Sequence, residues 1–105
     1  MSFVQAATLA DVPDGGAIAV EVEGVELALV RDGDVVYAVV DECSHASIPL
    51  SEGEVEGNEI ECWLHGSRFD LRTGKPTGLP ATRPVPVYPV KIEGDDVLVS
   101  LTQES

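Results

Sequence analysis

Cysteine, histidine and basic side chains are scarce in this sequence. Its 105 residues hold 2 Cys, 2 His, 1 Met, 1 Trp and only 6 Lys+Arg, against 19 Asp+Glu. Each shortage excludes something. A formal net charge of -13 repels nucleic acid and anionic membrane surfaces, and it favours partners with basic docking patches. No apolar run approaches the length of a membrane span. The opening stretch MSFVQAATLADVP has no basic n-region and no long apolar core, so it does not read as a signal peptide, and the cytoplasm is the default compartment. Two cysteines make at most one disulfide. In a reducing cytosol, cysteines placed beside histidines are better read as metal ligands. There is no GxGxxG and no room for a dinucleotide fold, so the chain does not oxidise NADH by itself.

Helical periodicity is missing as well; what is present is a series of short β-rich runs broken by turn chemistry. AIAVEV (17–22) and VELALVR (25–31) flank Glu23-Gly24, a tight hairpin candidate, and DVVYAVV (34–40) follows a second turn at Asp32-Gly33. Residues 58–63 and 67–71 read as two short strands, with Arg72-Thr73-Gly74-Lys75 closing a turn. VPVYPVKIE (85–93) and VLVSL (97–101) form a last hairpin, in which Pro86 and Pro89 demote the first run to an edge strand or an irregular entry. Residues 8–12 have room for one helical turn. The expected architecture is all-β: one domain, a small antiparallel sandwich or barrel, with residues 43–83 as a loop-rich insertion between 1–42 and 84–105.

Every cysteine and histidine lies in CSHASIPLSEGEVEGNEIECWLH, from Cys43 to His65. Cys43 and His45 are one residue apart, Cys62 and His65 two, and sixteen residues separate the pairs. A structural zinc finger usually groups its cysteines and its histidines, with a helix carrying the latter. Here each pair is mixed, which suits two loops and two metals: one iron takes the cysteine of each loop, the other the histidine. A mononuclear zinc site from the same four residues is the alternative. Trp63 reads as loop packing rather than an electron path, and Tyr37 and Tyr88 as ordinary strand residues. Before His65 the only basic residue is Arg31; Arg68, Arg72, Lys75 and Arg83 follow it. Singly these are solvated surface charges; as a set they would tune the site or meet an acidic partner.

The two pairs, with SEGEVEGNEIECWLHGSRFDLRTGKP between and after them, resemble the Rieske [2Fe–2S] proteins, in which two histidines replace two cysteines on one iron. The likeness is to the ferredoxins that serve bacterial aromatic-ring dioxygenases, and it runs from the first strand to VLVSL. It implies a Rieske-like fold, one [2Fe–2S] cluster held by Cys43, His45, Cys62 and His65, and a proline-bearing third loop at Gly78-Leu79-Pro80-Ala81. Two ferric ions, two sulfides and two thiolates sum to zero charge, so reduction gives only −1, whereas a four-cysteine cluster must go from −2 to −3. Rieske potentials accordingly span about −150 to +300 mV, against about −400 mV for plant-type clusters. High-potential respiratory relatives brace the cluster with an extra disulfide and a Gly-Ser-x-Tyr pattern. This chain has no further cysteine, keeps Ser67 and puts Phe69 at the tyrosine position. Fewer donors to sulfur, and the acidic surface, predict the low end, near about −150 mV. A proton on the outer nitrogen of each ligating imidazole would make the potential fall at alkaline pH.

The resemblance implies a one-electron carrier and not an enzyme. A flavoprotein reductase would feed it from NADH, and a separate terminal oxygenase would receive the electron. The edges of His45 and His65, with Ile48, Pro49 and Leu79 around them, would form the docking face. Ser67, Trp63, Phe69 and Pro80 would line the cluster, and a carrier that docks twice is expected to be a monomer. Similar small Rieske proteins serve nitrite reductases or cluster-assembly systems, and a zinc-bearing binding module is the reading from a different class.

Overall fold

The computed structural model describes residues 3–42, 49–56, 58–62, 67–77 and 84–101. Among the described residues, ten strands form three antiparallel sheets. They are β1 (Phe3–Thr8), β2 (Ala17–Val22), β3 (Val25–Asp32), β4 (Val35–Val40), β5 (Val55–Glu56), β6 (Glu59–Glu61), β7 (Arg68–Asp70), β8 (Val87–Tyr88), β9 (Val90–Glu93) and β10 (Asp96–Ser100). The first sheet has the order β1-β10-β9, the second β2-β3-β4-β8 and the third β5-β6-β7. Strands on both sides of residues 43–83 build the first two sheets; the third lies within that range.

The turns explain the pairing. Glu23 (φ 50) and Gly24 (φ 84) are both left-handed, the primed turn whose twist matches a two-residue hairpin, and β2 and β3 pair without slip from Ala17↔Val30 to Val22↔Val25. At the β3–β4 and β9–β10 corners the glycine alone is left-handed, Gly33 at φ 64 and Gly94 at φ 60, and it stands first in the two-residue turn. Pro89 breaks the 85–93 run in two. Its lack of an N–H ends the pairing of β8 with β4 after Ala38↔Tyr88, and the chain crosses to the first sheet, where β9 becomes an edge.

The second sheet is the middle layer. Leu27, Leu29, Val36 and Ala38 pack on one side with Val12, Val97 and Val99; Ala28, Val30 and Val39 pack on the other with Leu50, Ile60, Cys62, Phe69, Leu71 and Val85. Four consecutive residues, Leu27 to Val30, are fully buried, which is why β3 reads as a continuous apolar run rather than an alternation. The expected sandwich is thus a stack of three sheets with two apolar seams. The helical turn expected near residue 8 is a 3-10 turn, Leu9–Asp11, where the Asp11 carboxylate accepts from the Thr8 hydroxyl at 2.9 Å. A second 3-10 turn, Leu50–Glu52, together with β1 and β5, was not anticipated from the sequence.

Candidate metal centre

Of the four candidate ligands, Cys62 is described; Cys43, His45 and His65 lie outside the described residues. So do Trp63, Pro80, Ile48 and Leu79, and Arg83 among the basic set. Cys62 directly follows β6 and is a free, fully buried thiol in the second apolar seam. Its backbone N–H donates to the Ser67 carbonyl at 2.6 Å, so the chain between them, with His65, leaves and returns at one point. Ser67 is fully buried beside it. Phe69 is fully buried too, opposite Ile60 in the β6–β7 ladder and in the same apolar cluster as Cys62. With no hydroxyl, Phe69 offers Cys62 packing and no hydrogen bond.

The exit of the Cys43–His45 loop is brought to the same place. Pro49 is half-buried and extended (φ -64, ψ 124), and it starts the 3-10 turn in which Leu50 drops fully into the seam. Burying a leucine is worth roughly 1.5–3 kcal/mol, enough to hold this end of the loop down. Gly53 follows, and a Cβ there would overlap the Glu61 carbonyl, one residue before Cys62. Only glycine lets the two ligand segments approach so closely. On the entry side, Asp41 accepts from Ser51: the backbone N–H to Oδ1 at 2.7 Å and the hydroxyl to Oδ2 at 2.8 Å. Residues 78–83, which carry the expected third loop, are bracketed by two backbone bonds: Thr77 N–H to the Arg68 carbonyl and Val85 N–H to the Gly74 carbonyl, both 2.8 Å.

The basic set does not make a positive patch where it is described. Arg68 faces Glu56 at 3.4 Å, Glu61 at 3.6 Å and Glu59 at 3.7 Å, so it serves to neutralise the third sheet. The hydrogen bond that Arg68 donates to the Glu56 carboxylate, then the negative charges of Glu56, Glu61 and Glu59, raise the Arg68 guanidinium above its ordinary value. Arg72 is held by Asp70, with Nη2 3.1 Å from Oδ2. Carboxylates on β5 and β6 thus pair Arg68, and Asp70 at the end of β7 pairs Arg72, while the Arg72 side chain stays exposed and that of Arg68 partly so, as singly solvated surface charges would.

The donors suit an iron–sulfur cluster of the mixed-ligand kind. The described thiol is unpaired, the chain's remaining soft and borderline donors all belong to the two segments brought together here, and an apolar wall excludes water from the sulfur side. Among the described residues, which include only Cys62 of the four candidate ligands, no group of three or more His, Cys, Asp and Glu is placed to hold a metal ion.

Comparison with known proteins points the same way. The Rieske [2Fe–2S] domain model matches residues 2–89. The chain is similar to the ferredoxin component of the naphthalene 1,2-dioxygenase system of Pseudomonas aeruginosa, 42% identical over 100 residues that cover 95% of this chain and 96% of that one. Among solved structures it superimposes on the ferredoxin of carbazole 1,9a-dioxygenase from Nocardioides aromaticivorans IC177 with a TM-score of 0.90 and 45% identity, covering 95% of this chain and 98% of that one. A chain in the complex of reduced oxygenase and oxidized ferredoxin in carbazole 1,9a-dioxygenase matches with a TM-score of 0.90 and 34% identity, covering 98% and 96%. A buried free thiol between two closed loops, on a three-sheet β frame that matches these proteins almost end to end, makes this chain a member of the Rieske [2Fe–2S] family, among its ferredoxins.

Proposed function

We propose that the chain is the one-electron carrier of a multicomponent ring-hydroxylating dioxygenase. In this reading Cys43 and Cys62 bind one iron of a [2Fe–2S] cluster, and His45 and His65 bind the other. The cluster supplies a reversible one-electron couple; the protein's part is to hold it, tune it and present it. The observation that carries the reading is the convergence at Cys62: a free thiol, 0% exposed, with its own loop closed behind it and Gly53 pressing the other ligand segment against the preceding residue. Ser67 and Phe69 sit beside that thiol, and Trp63 and Pro80 belong to the neighbouring segments.

Residues 43–83 act as a cluster-binding subdomain on a base formed by 1–42 and 84–105. The imidazole edges of His45 and His65 form the exit for the electron, and Ile48, Pro49 and Leu79 provide its apolar rim. A flavoprotein reductase loads the carrier and the terminal oxygenase unloads it, each docking on this face in turn, which favours a monomer. The reducing cytoplasm keeps both thiolates available.

Protein-film voltammetry tests the assignment. The expected result is a reversible one-electron wave near the low end of the Rieske range, about −150 mV. A wave near about −400 mV would indicate all-sulfur ligation. Its absence from metal-replete protein would return the site to zinc. Turnover of a ring-hydroxylating oxygenase with NADH and reductase, dependent on added carrier, checks the partner assignment.

A further inference from the structure

The three segments around the centre are closed in two different ways. Backbone bonds close two of them: Cys62 to Ser67 at 2.6 Å, and the Thr77–Arg68 and Val85–Gly74 pair at 2.8 Å. Among the described residues no backbone bond joins the two ends of the third, which carries Cys43 and His45. Side chains join them instead, through both oxygens of Asp41 and both donors of Ser51. We propose that Asp41 and Ser51 form a clip that positions the first ligand loop, setting the distance between its ends and so the placement of Cys43 and His45 on the cluster. The inference rests on the ligand assignment above.

Both halves of the clip are anchored to rigid structure. The Asp41 N–H donates to the Glu26 carbonyl at 3.0 Å, which fixes the carboxylate at the end of the middle sheet. Ser51 stands between fully buried Leu50 and close-packed Gly53. Asp41 and Ser51 are themselves half-buried, so the charged hydrogen bonds are weakly screened and stronger than neutral ones. Without the clip, the described anchors of the stretch from 42 to 50 would be Leu50 at its exit and the end of β4 at its entry. The ligands would then sample a wider range of positions, because closing a flexible loop costs entropy that the cluster bonds would have to offset.

Substitutions separate geometry from charge. Asp41→Asn keeps both contacts, its oxygen accepting from the Ser51 N–H and its amide donating to the hydroxyl, while removing the charge. Asp41→Ala removes both arms, and Ser51→Ala removes one. The readouts are the rate at which the holoprotein loses its visible absorbance in the presence of a chelator, and the line shape of the reduced cluster in electron paramagnetic resonance. Asp41→Ala should bleach about ten- to a hundredfold faster, the worth of hydrogen bonds to a charged group, with a broadened spectrum. Ser51→Ala should fall between, and Asp41→Asn should stay within about threefold of the wild type. Wild-type bleaching and line shape in Asp41→Ala would overturn the clip; so would an Asp41→Asn protein that behaves like Asp41→Ala, which would assign the effect to charge. If Asp41→Ala does not fold, as judged by circular dichroism, Ser51→Ala carries the test, and a wild-type rate there overturns it. Failure of the ligand assignment is visible earlier, as a wild-type protein without a Rieske-type resonance.

Discussion

Asp70 shows how a chain with few cations uses each of them. The Arg72 guanidinium, donating to its carboxylate, holds Asp70 below the ordinary value of 3.8. A carboxyl whose folded value is depressed adds stability that is complete above the unfolded value and disappears as pH falls through the folded one. Wild type should therefore be more stable than Asp70→Asn at pH 7, and the two should converge as the pH is taken below 3.8, measured by urea unfolding across an acid series. Equal stability at neutral pH would show that solvent screens the pair completely. At this scale the candidate ligands could be picked out from the sequence because cysteine and histidine occur nowhere else in it. Asp41 and Ser51 could not: one aspartate among 19 acidic residues carries no mark, and its partner stands ten positions away. The local pairing of Arg68 was equally hidden, because Glu56, Glu59 and Glu61 come onto its side only when β5, β6 and β7 pair.

Elements with their own turn chemistry were legible. The β2–β3, β3–β4 and β9–β10 hairpins turn where the glycines require, with the strand ends beside each turn within a residue of those expected, although β9 starts at Val90 and not at residue 85. The break at Pro89 was foreseen as irregular, although not as a change of sheet. β1 escaped notice because its pairing with β10 slips between Gln5 and Ala7, and that bulge spoils the two-residue alternation. β5 is two residues long, too short to leave a pattern. The 3-10 turn at Leu50 exists because tertiary burial holds it, and local sequence has no say in that. Gly53 belongs to the same hidden class, since its backbone angle is ordinary and only the proximity of the Glu61 carbonyl demands glycine. Gly53→Ala must push this turn away from β6, at a cost of roughly 1–3 kcal/mol. In denaturant titrations the variant should lose that much stability. It should also retain less iron per chain after purification, because the same contact brings the ligand segments together.

Taken as a whole, the molecule is a frame of apolar seams inside a strongly negative surface. With a formal net charge of -13, encounters with a basic partner surface are accelerated over distances that salt cuts to about 8 Å at physiological strength. If the proposed reductase docks through a basic surface, electron transfer from it should slow as salt is raised under second-order conditions, while the unimolecular rate at saturation stays constant; stopped-flow mixing distinguishes the two. A further consequence follows from the order of the first sheet, in which Phe3 lies opposite Ser100. The ladder that joins β1 to β10 spans almost the entire sequence, so its closure is the most expensive entropic event in folding. Joining the two ends with a short flexible linker and opening the chain at Gly94-Asp95 would turn that ladder into a hairpin and make the β9–β10 pairing the distant one. The permutant should keep the native fold with altered refolding kinetics: if β1–β10 docking limits the wild type, it refolds faster, and if β9–β10 nucleates folding, slower. The direction of that change tells which of the two ladders, β1–β10 or β9–β10, forms first.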